Sequence, residues 1–366
     1  MIVEGWDGFI RYSSSDPFRH DIKSKCLKKA SIEGDILLSV FIPTYKRKDF
    51  LREAIDSAIN QQDPGINYEI VVVSNDPETD LSDIINDYSN INNISFYANE
   101  ENIQWVGNWN RGLLLSKGKY MTLLHDDDLL KPNYVHEMGK ILQDPKYSDA
   151  GAFSMKSDFL FQNADNDKPV PNKNFGKFLH DFARILLCIT LRILTLFRYF
   201  YRRNVIELKP EISLSIMTCI YSACGPCFNR EMLLNDGGWN EEGNPAADWY
   251  TWIRFNQNHK IFKVRGKTLV TYRWAVNGSF SITKTTWACT DIGLLCKKWQ
   301  SEKLNKIIAK NKDYLASMAI QKYIGEVDIE EISRYFGIKI NIPTKLQCFL
   351  WEWRNYIIYV VYNLDR

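Results

Sequence analysis

Gly118-Lys119-Tyr120-Met121-Thr122-Leu123-Leu124-His125-Asp126-Asp127-Asp128 runs an apolar stretch of strand length straight into three carboxylates. Working outward from it, Leu38 to Ile42 belongs to a second apolar run, from Ile36, that ends at the turn Pro43-Thr44-Tyr45. Between them Phe50, Leu51, Ala54, Ile55, Ala58 and Ile59 recur at helical spacing. Glu69 to Val73 is a third, β-branched run that opens onto Ser74-Asn75-Asp76-Pro77. Leu81 to Tyr88 reads as a helix, Ile94 to Tyr97 as a strand and Gly107 to Ser116 as a helix. Strand and helix alternating with short connections predict a mostly parallel sheet flanked by helices, in which ligands bind at the carboxyl ends of strands. The polar groups fall at those ends: Pro43-Thr44-Tyr45, Asn75-Asp76 and the three aspartates.

Three adjacent aspartates are costly to hold ionised together, because like charges within ~4–6 Å repel unless a cation neutralises them. Oxygen ligands at one end of a sheet suit Mg²⁺ or Mn²⁺, which complete their shells with phosphate oxygens and water. The plainer reading is an acidic cap for a helix beginning near Asn133.

Leu38 to Arg47, Glu69 to Asp76 and Gly118 to Asp128, in this order and spacing, resemble the inverting glycosyltransferases of family 2, of the bacterial surface-polysaccharide type. The resemblance implies a GT-A fold and a nucleotide-sugar donor whose base meets Pro43, Thr44, Tyr45 and Asp76. Asn102, Asn110 and Gly112 match the family's Asn-rich stretch. Asp126 and Asp128 fit its Asp-x-Asp pattern for ribose and metal, with Asp127 within the same donor-binding register. His125 stands where the family often has Asp, and Trp109 where Arg is common.

Direct displacement at an anomeric carbon needs a base for the acceptor hydroxyl. Gly237-Gly238-Trp239 followed by Ala247-Asp248-Trp249 resembles the family's Gly-Gly-aromatic segment and Glu-Asp helix, which puts Asp248 in the base position and leaves Ala247 where a Glu is usual. The competing reading is a first-turn helix acid. Near Tyr272 to Ser279 the family often supplies a His; none is present, leaving Arg273 or Ser279 to meet the phosphates.

The rest of the chain sets the boundaries. At 366 residues it exceeds the ~250–300 at which one core stops growing. We read 1–34 as an N-terminal extension, 35–165 as the donor-binding half, 166–209 as an amphipathic insertion, 210–284 as the acceptor and catalytic half, and 285–366 as a helical C-terminal region. A net charge of only +2 gives no basic field for nucleic acid. Eight cysteines are too sparse for a disulfide scaffold, and Cys224-Gly225-Pro226-Cys227 is read as two reduced core thiols rather than a redox pair. Glu4, Asp7 and the absence of an apolar run of secretory length argue against a signal peptide, so the chain is expected in the cytosol.

Residues 182–201 hold fifteen apolar residues with Arg184, Arg192 and Arg198. Spanning would set Arg192 near the bilayer centre at ~2.5–3.5 kcal/mol, so a basic amphipathic helix lying on an anionic membrane is expected instead. From Lys173 to Arg203 the local charge is +6, from seven basic residues and one acid. Aromatics reach 13% of the chain, and Trp351, Trp353, Tyr356, Tyr359 and Tyr362 form either an interfacial belt or a docked helix. The combined expectation is a peripheral enzyme on the cytoplasmic face of the inner membrane, using a polyprenyl-diphosphate-linked glycan acceptor in capsule or O-antigen assembly. Two rivals are a catalytically inactive assembly partner of the same fold and a sugar nucleotidylyltransferase. The latter would want a Gly-rich phosphate loop that Pro43-Thr44-Tyr45-Lys46-Arg47 lacks.

Overall fold

The computed structural model describes residues 16–161, 205–240, 245–265, 267–274 and 283–362. In chain order the elements begin β1 (Ser24–Lys28), β2 (Leu38–Thr44), α1 (Lys48–Ile59), β3 (Tyr68–Ser74), α2 (Ser82–Asp87), β4 (Ile94–Asn99), α3 (Gln104–Leu115) and β5 (Tyr120–Leu123). There follow β6 (Leu129–Leu130), α4 (Tyr134–Gln143), β7 (Ala150–Ser154), β8 (Ser157–Phe161), β9 (Val205–Leu208), α5 (Pro210–Ile216), β10 (Cys227–Asn229) and α6 (Arg230–Asn235). The chain closes with α7 (Ala247–Asn258), β11 (Lys260–Val264), β12 (Val270–Trp274), α8 (Lys284–Cys296), α9 (Glu302–Ile320), α10 (Ile329–Phe336) and α11 (Lys345–Tyr362).

Nine of these strands form one sheet in the order β1-β4-β3-β2-β5-β10-β7-β11-β9, and β6-β12-β8 form a second, smaller one. β4, β3, β2 and β5 are mutually parallel, as are β7 and β11. β10 runs antiparallel to both β5 and β7, and β1 and β9 close the two edges antiparallel. The sheet is therefore mixed around a parallel heart. β10 turns back beside the carboxyl end of β5, where Gly225 N–H donates to Leu123 O and Leu123 N–H to Pro226 O, each at 3.1 Å.

Side-chain alternation along the strands explains the layers. Leu38, Val40 and Ile42 pack with Ile70 and Val72 into one core, alongside Leu51, Ala54, Ile55 and Ala58 of α1. Phe41, Val71 and Val73 face the other, with Val106, Trp109 and Leu113 of α3 and the buried apolar residues of α7 to α9. Strands buried on both faces are what near-continuous β-branched runs signal, each large side chain contributing roughly 1.5–3 kcal/mol. α3 seats on β2 only because position 112 is glycine: a Cβ there would lie 2.4 Å from the Phe41 ring.

Two stretches assigned outside the core domain contribute strands to it. Residues 24–28, within the expected extension, pair with β4, and 205–208, within the expected insertion, pair with β11. The apolar basic segment itself, 162–204, lies outside the described residues. Among the described residues no helix is long and apolar enough to cross a membrane. In α11, Trp351 is buried edge-on against Tyr314 of α9, with ring centroids 5.7 Å apart, so that turn of the helix is docked. Cys224 and Cys227 are free thiols buried in the core, and burial pushes Cys227 up to about 12.

Candidate active site

The acid triplet occupies the turn between β5 and β6, at the carboxyl end of the parallel heart. Leu124 N–H still pairs with Phe41 O of β2, and Asp128 N–H closes back on His125 O at 3.1 Å. Asp126, Asp127 and Asp128 are all buried, so each carboxylate needs its own partners. Asp126 Oδ2 accepts from Thr44 Oγ1 at 2.8 Å and from Tyr45 N–H at 3.4 Å. Asp127 Oδ2 accepts from Arg47 Nη1 at 2.8 Å, a guanidinium that also stands 3.7 Å from Asp126 Oδ1. Asp128 Oδ1 accepts from the Arg273 backbone N–H at 2.9 Å.

Burial, reinforced by the neighbouring Asp127 charge, raises Asp126 to about 6 against the pull of Thr44 and Arg47. His125 is raised too: burial opposes its charge, but Asp128 beside it and then Asp127 and Asp126 outweigh that. The imidazole stacks on Trp109 at 5.3 Å and 23°, and its Nδ1 stands 3.5 Å from Asp128 Oδ2.

A divalent cation fits this turn. Ligand atoms of His125, Asp127 and Asp128 lie within 4.8 Å of one another. Asp128 Oδ2 and His125 Nε2 are buried with no hydrogen-bond partner among the described residues, which a native fold rarely leaves unexplained. The set differs from the one expected by pairing Asp126 with Asp128: Asp126 is the member held by the Pro43-Thr44-Tyr45 turn, and His125 joins the cluster. The clue in the sequence was a histidine directly preceding three acids. Arg47 was equally legible only as a cation next to that turn.

The remaining expected residues do not all gather at the acid turn. Asp76 ends β3, accepting from Glu78 N–H at 3.2 Å and Thr79 Oγ1 at 2.5 Å, with Lys46 Nζ 3.9 Å away. Asn102 is tied to it through Asn75, whose Nδ2 donates to Asn102 Oδ1 at 2.9 Å. Asn110 lies elsewhere: fully buried, it donates to Pro17 O and Trp239 O and accepts from Trp239 N–H at 2.7 Å. Arg273 is 1% exposed and donates through Nε to Asp127 O at 2.7 Å and through Nη2 to Glu53 Oε2 at 2.5 Å. Asp248 sits half-buried in the first turn of α7; burial raises it, and it lies near enough to His125 for that imidazole to pull it back down. The Tyr272 hydroxyl is raised by burial and then by Asp128, Asp127 and Asp248, which places all four groups around one region. Glu241, Glu242 and Ser279 lie outside the described residues.

Residues 39–207 match the family model described as Glycosyl transferase family 2. Glycosyltransferase GlyA of Streptococcus pneumoniae is 35% identical over 107 residues, 29% of this chain and 15% of that protein. A Campylobacter jejuni relative, GalNAc(5)-diNAcBac-PP-undecaprenol beta-1,3-glucosyltransferase, is 29% identical over 170 residues, 41% of this chain and 52% of that protein. The matched stretches span only 15%, 34% and 38% of the first three curated relatives. In three dimensions the chain is similar to residues 1–349 of Staphylococcus aureus TarS, solved in complex with UDP, at a TM-score of 0.54 and 17% identity over 82% of this chain and 78% of that one. A parallel heart ending in an acid turn has the GT-A fold, and the match that runs through it makes residues 39–207 similar to glycosyl transferase family 2.

Proposed function

We propose that this protein is a metal-dependent, inverting glycosyltransferase that moves one sugar from a nucleotide-sugar to a lipid-linked glycan. The observation that carries the reading is the Asp128 Oδ2 atom, buried without a hydrogen-bond partner among the described residues beside Asp127 and His125. An anionic cluster of that kind asks for a cation, and a cation there asks for a diphosphate.

Mn²⁺ or Mg²⁺ would be held by Asp127, Asp128 and His125, and when bound it supplies positive charge to the departing nucleoside diphosphate. Thr44 and the Tyr45 backbone orient Asp126 towards the donor's ribose, and Asp76 stands at the neighbouring strand end for the base. Arg47 adds a fixed guanidinium to the phosphate side. Asp248 takes the proton of the acceptor hydroxyl as its oxygen bonds the anomeric carbon and the bond from that carbon to the phosphate oxygen breaks. Attack opposite the leaving group inverts the centre. Because burial raises Asp248, it is a stronger base than an exposed carboxylate, which is what proton transfer from a hydroxyl requires.

The Campylobacter relative, named for a PP-undecaprenol-linked substrate, supports a polyprenyl-diphosphate-linked acceptor in capsule or O-antigen synthesis. The +6 segment from Lys173 to Arg203 supports attachment to an anionic membrane at the cytoplasmic face of the inner membrane. Thermal-shift screening of nucleotide-sugars with Mn²⁺ tests the core of the reading. A donor at about 100 times its Kd should add ~2.7 kcal/mol and raise Tm, and should be slowly hydrolysed to the diphosphate. If none of the nucleotide-sugars shifts Tm or is hydrolysed, the proposal is wrong.

A further inference from the structure

We propose that Arg273 is the positioning residue that presents the Asp127–Asp128 turn to the cation, anchored through Glu53. The inference rests on the metal-dependent reading above and goes beyond it by assigning the arginine a place behind the ligands instead of on the phosphates.

Arg273 belongs to β12 of the small sheet, whereas the acid turn leaves β5 of the large one. Three groups of this one residue reach across. Its backbone N–H donates to Asp128 Oδ1 at 2.9 Å, which leaves Oδ2, with no hydrogen-bond partner among the described residues and 3.5 Å from His125 Nδ1, as the atom that faces the metal cluster. Its Nε donates to the Asp127 carbonyl at 2.7 Å, fixing the backbone between the two ligand side chains. Its Nη2 donates to Glu53 Oε2 at 2.5 Å, and its Cζ lies 4.8 Å from the centroid of the Phe50 ring, so α1 holds the guanidinium from behind. The side chain is 1% exposed.

A planar guanidinium has donors in fixed directions, so it can bond a carbonyl and a carboxylate at once. A lysine ammonium keeps the charge but loses that fork. Groups that orient metal ligands from outside the coordination shell typically contribute about 10-fold to 100-fold in metal affinity. Glu53 is half-exposed, with 49% of its side chain open, so it can be altered with little effect on the core.

The experiment is Mn²⁺ binding to the full chain, with no nucleotide, read as free Mn²⁺ by electron paramagnetic resonance. Arg273→Met should raise the Mn²⁺ Kd about tenfold or more, Arg273→Lys less, and Glu53→Ala about threefold, in the graded order expected of an outer orienting group. Far-UV circular dichroism and Tm for Glu53→Ala should match the parent. If Glu53→Ala, and Arg273→Met when it folds, bind Mn²⁺ within about twofold of the parent, the inference is overturned while the transferase reading stands. Should Arg273→Met fail to fold, Glu53→Ala decides alone. A parent chain that binds no Mn²⁺ overturns both readings together.

Discussion

Thr44 Oγ1 and Asp126 Oδ2, 82 residues apart in the chain, meet at 2.8 Å where β2 and β5 end side by side. That bond pulls down a carboxyl that burial pushes up, and the balance leaves Asp126 at about 6, above its ordinary 3.8. A raised carboxyl holds its proton more tightly folded than unfolded, so the metal-free protein should lose stability as pH rises from about 4 through about 6 and level off above. Thr44→Val removes the donor and should cost about 1–3 kcal/mol at pH 7.5, where Asp126 is ionised, and clearly less at pH 5. Urea unfolding of metal-free protein at the two pH values measures it; an equal loss at both would mean that Asp126 does not titrate in this range.

Asp128→Asn keeps the Oδ1 that accepts from Arg273 and removes the charge from the turn. Metal affinity should fall by about tenfold or more. Stability without metal should hold or rise, because a buried anionic oxygen lacking a hydrogen-bond partner among the described residues costs free energy. Isothermal titration with Mn²⁺ and a melting curve in chelator report the two halves. Unchanged Mn²⁺ affinity would move the cation elsewhere.

Asn110 and Gly238 are coupled. Gly238 has φ +67°, and a Cβ there would lie 2.3 Å from Asn110 Oδ1, the atom that accepts from Trp239 N–H. Gly238→Ala should cost about 1–3 kcal/mol through strain and crowding. Asn110→Ala should cost a similar amount by leaving the Trp239 and Pro17 backbone groups unpaired. Since the second change removes the atom crowded by the first, the double variant should lose less than the two costs together. Denaturant midpoints for the four proteins settle it, and strict additivity would contradict the contact.

This pair also marks where sequence reasoning stopped. The strand and helix alternation from β2 to β5 was legible because strands buried on both faces leave β-branched runs, and helices against them leave a 3.6-residue period. The acid turn was legible because three charges at a strand end demand an explanation. The partition of those charges was not. It depends on Thr44, Arg47 and the Arg273 backbone, which arrive from two other parts of the chain, the junction of β2 with α1 and the strand β12. Asn110 fits a sequence pattern shared with donor-binding families, yet its amide ties Pro17 to the turn at Trp239, a contact spanning 93 residues that no local period encodes. β1 and β9 were missed for the same reason: a five- and a four-residue edge strand carry too little pattern to stand out from an extension or an insertion.

Attachment to lipid, if it depends on the charge of the segment from Lys173 to Arg203, should weaken with salt, since attraction to anionic headgroups falls off within a Debye length of about 8 Å at physiological ionic strength. Replacing Arg192, Arg198, Arg202 and Arg203 with Glu reverses most of that charge. The variant should stay in the supernatant when anionic vesicles are pelleted, while the parent sediments at low salt. Equal sedimentation of both would assign the segment to the protein core.

Asp248 is the remaining test, and its two readings predict opposite results. As the base that takes the acceptor proton, it must be ionised, and since burial raises it, the rate should fall on the acid side at a pH above the ordinary carboxylate range. Asp248→Asn keeps the shape and polarity of the side chain while removing its basicity. Transfer should then drop by ~10²–10⁴-fold with donor affinity preserved, and the acid limb of kcat/KM should disappear from whatever rate remains. As a first-turn helix acid, the same residue would act through the positive end of α7, an effect of about 0.3–1 kcal/mol that appears in Tm and hardly in turnover. Asparagine is itself well tolerated at a helix start, so near-parental turnover in Asp248→Asn would identify the acid as structural and transfer the search for a base to Glu241 and Glu242, in the segment just before α7.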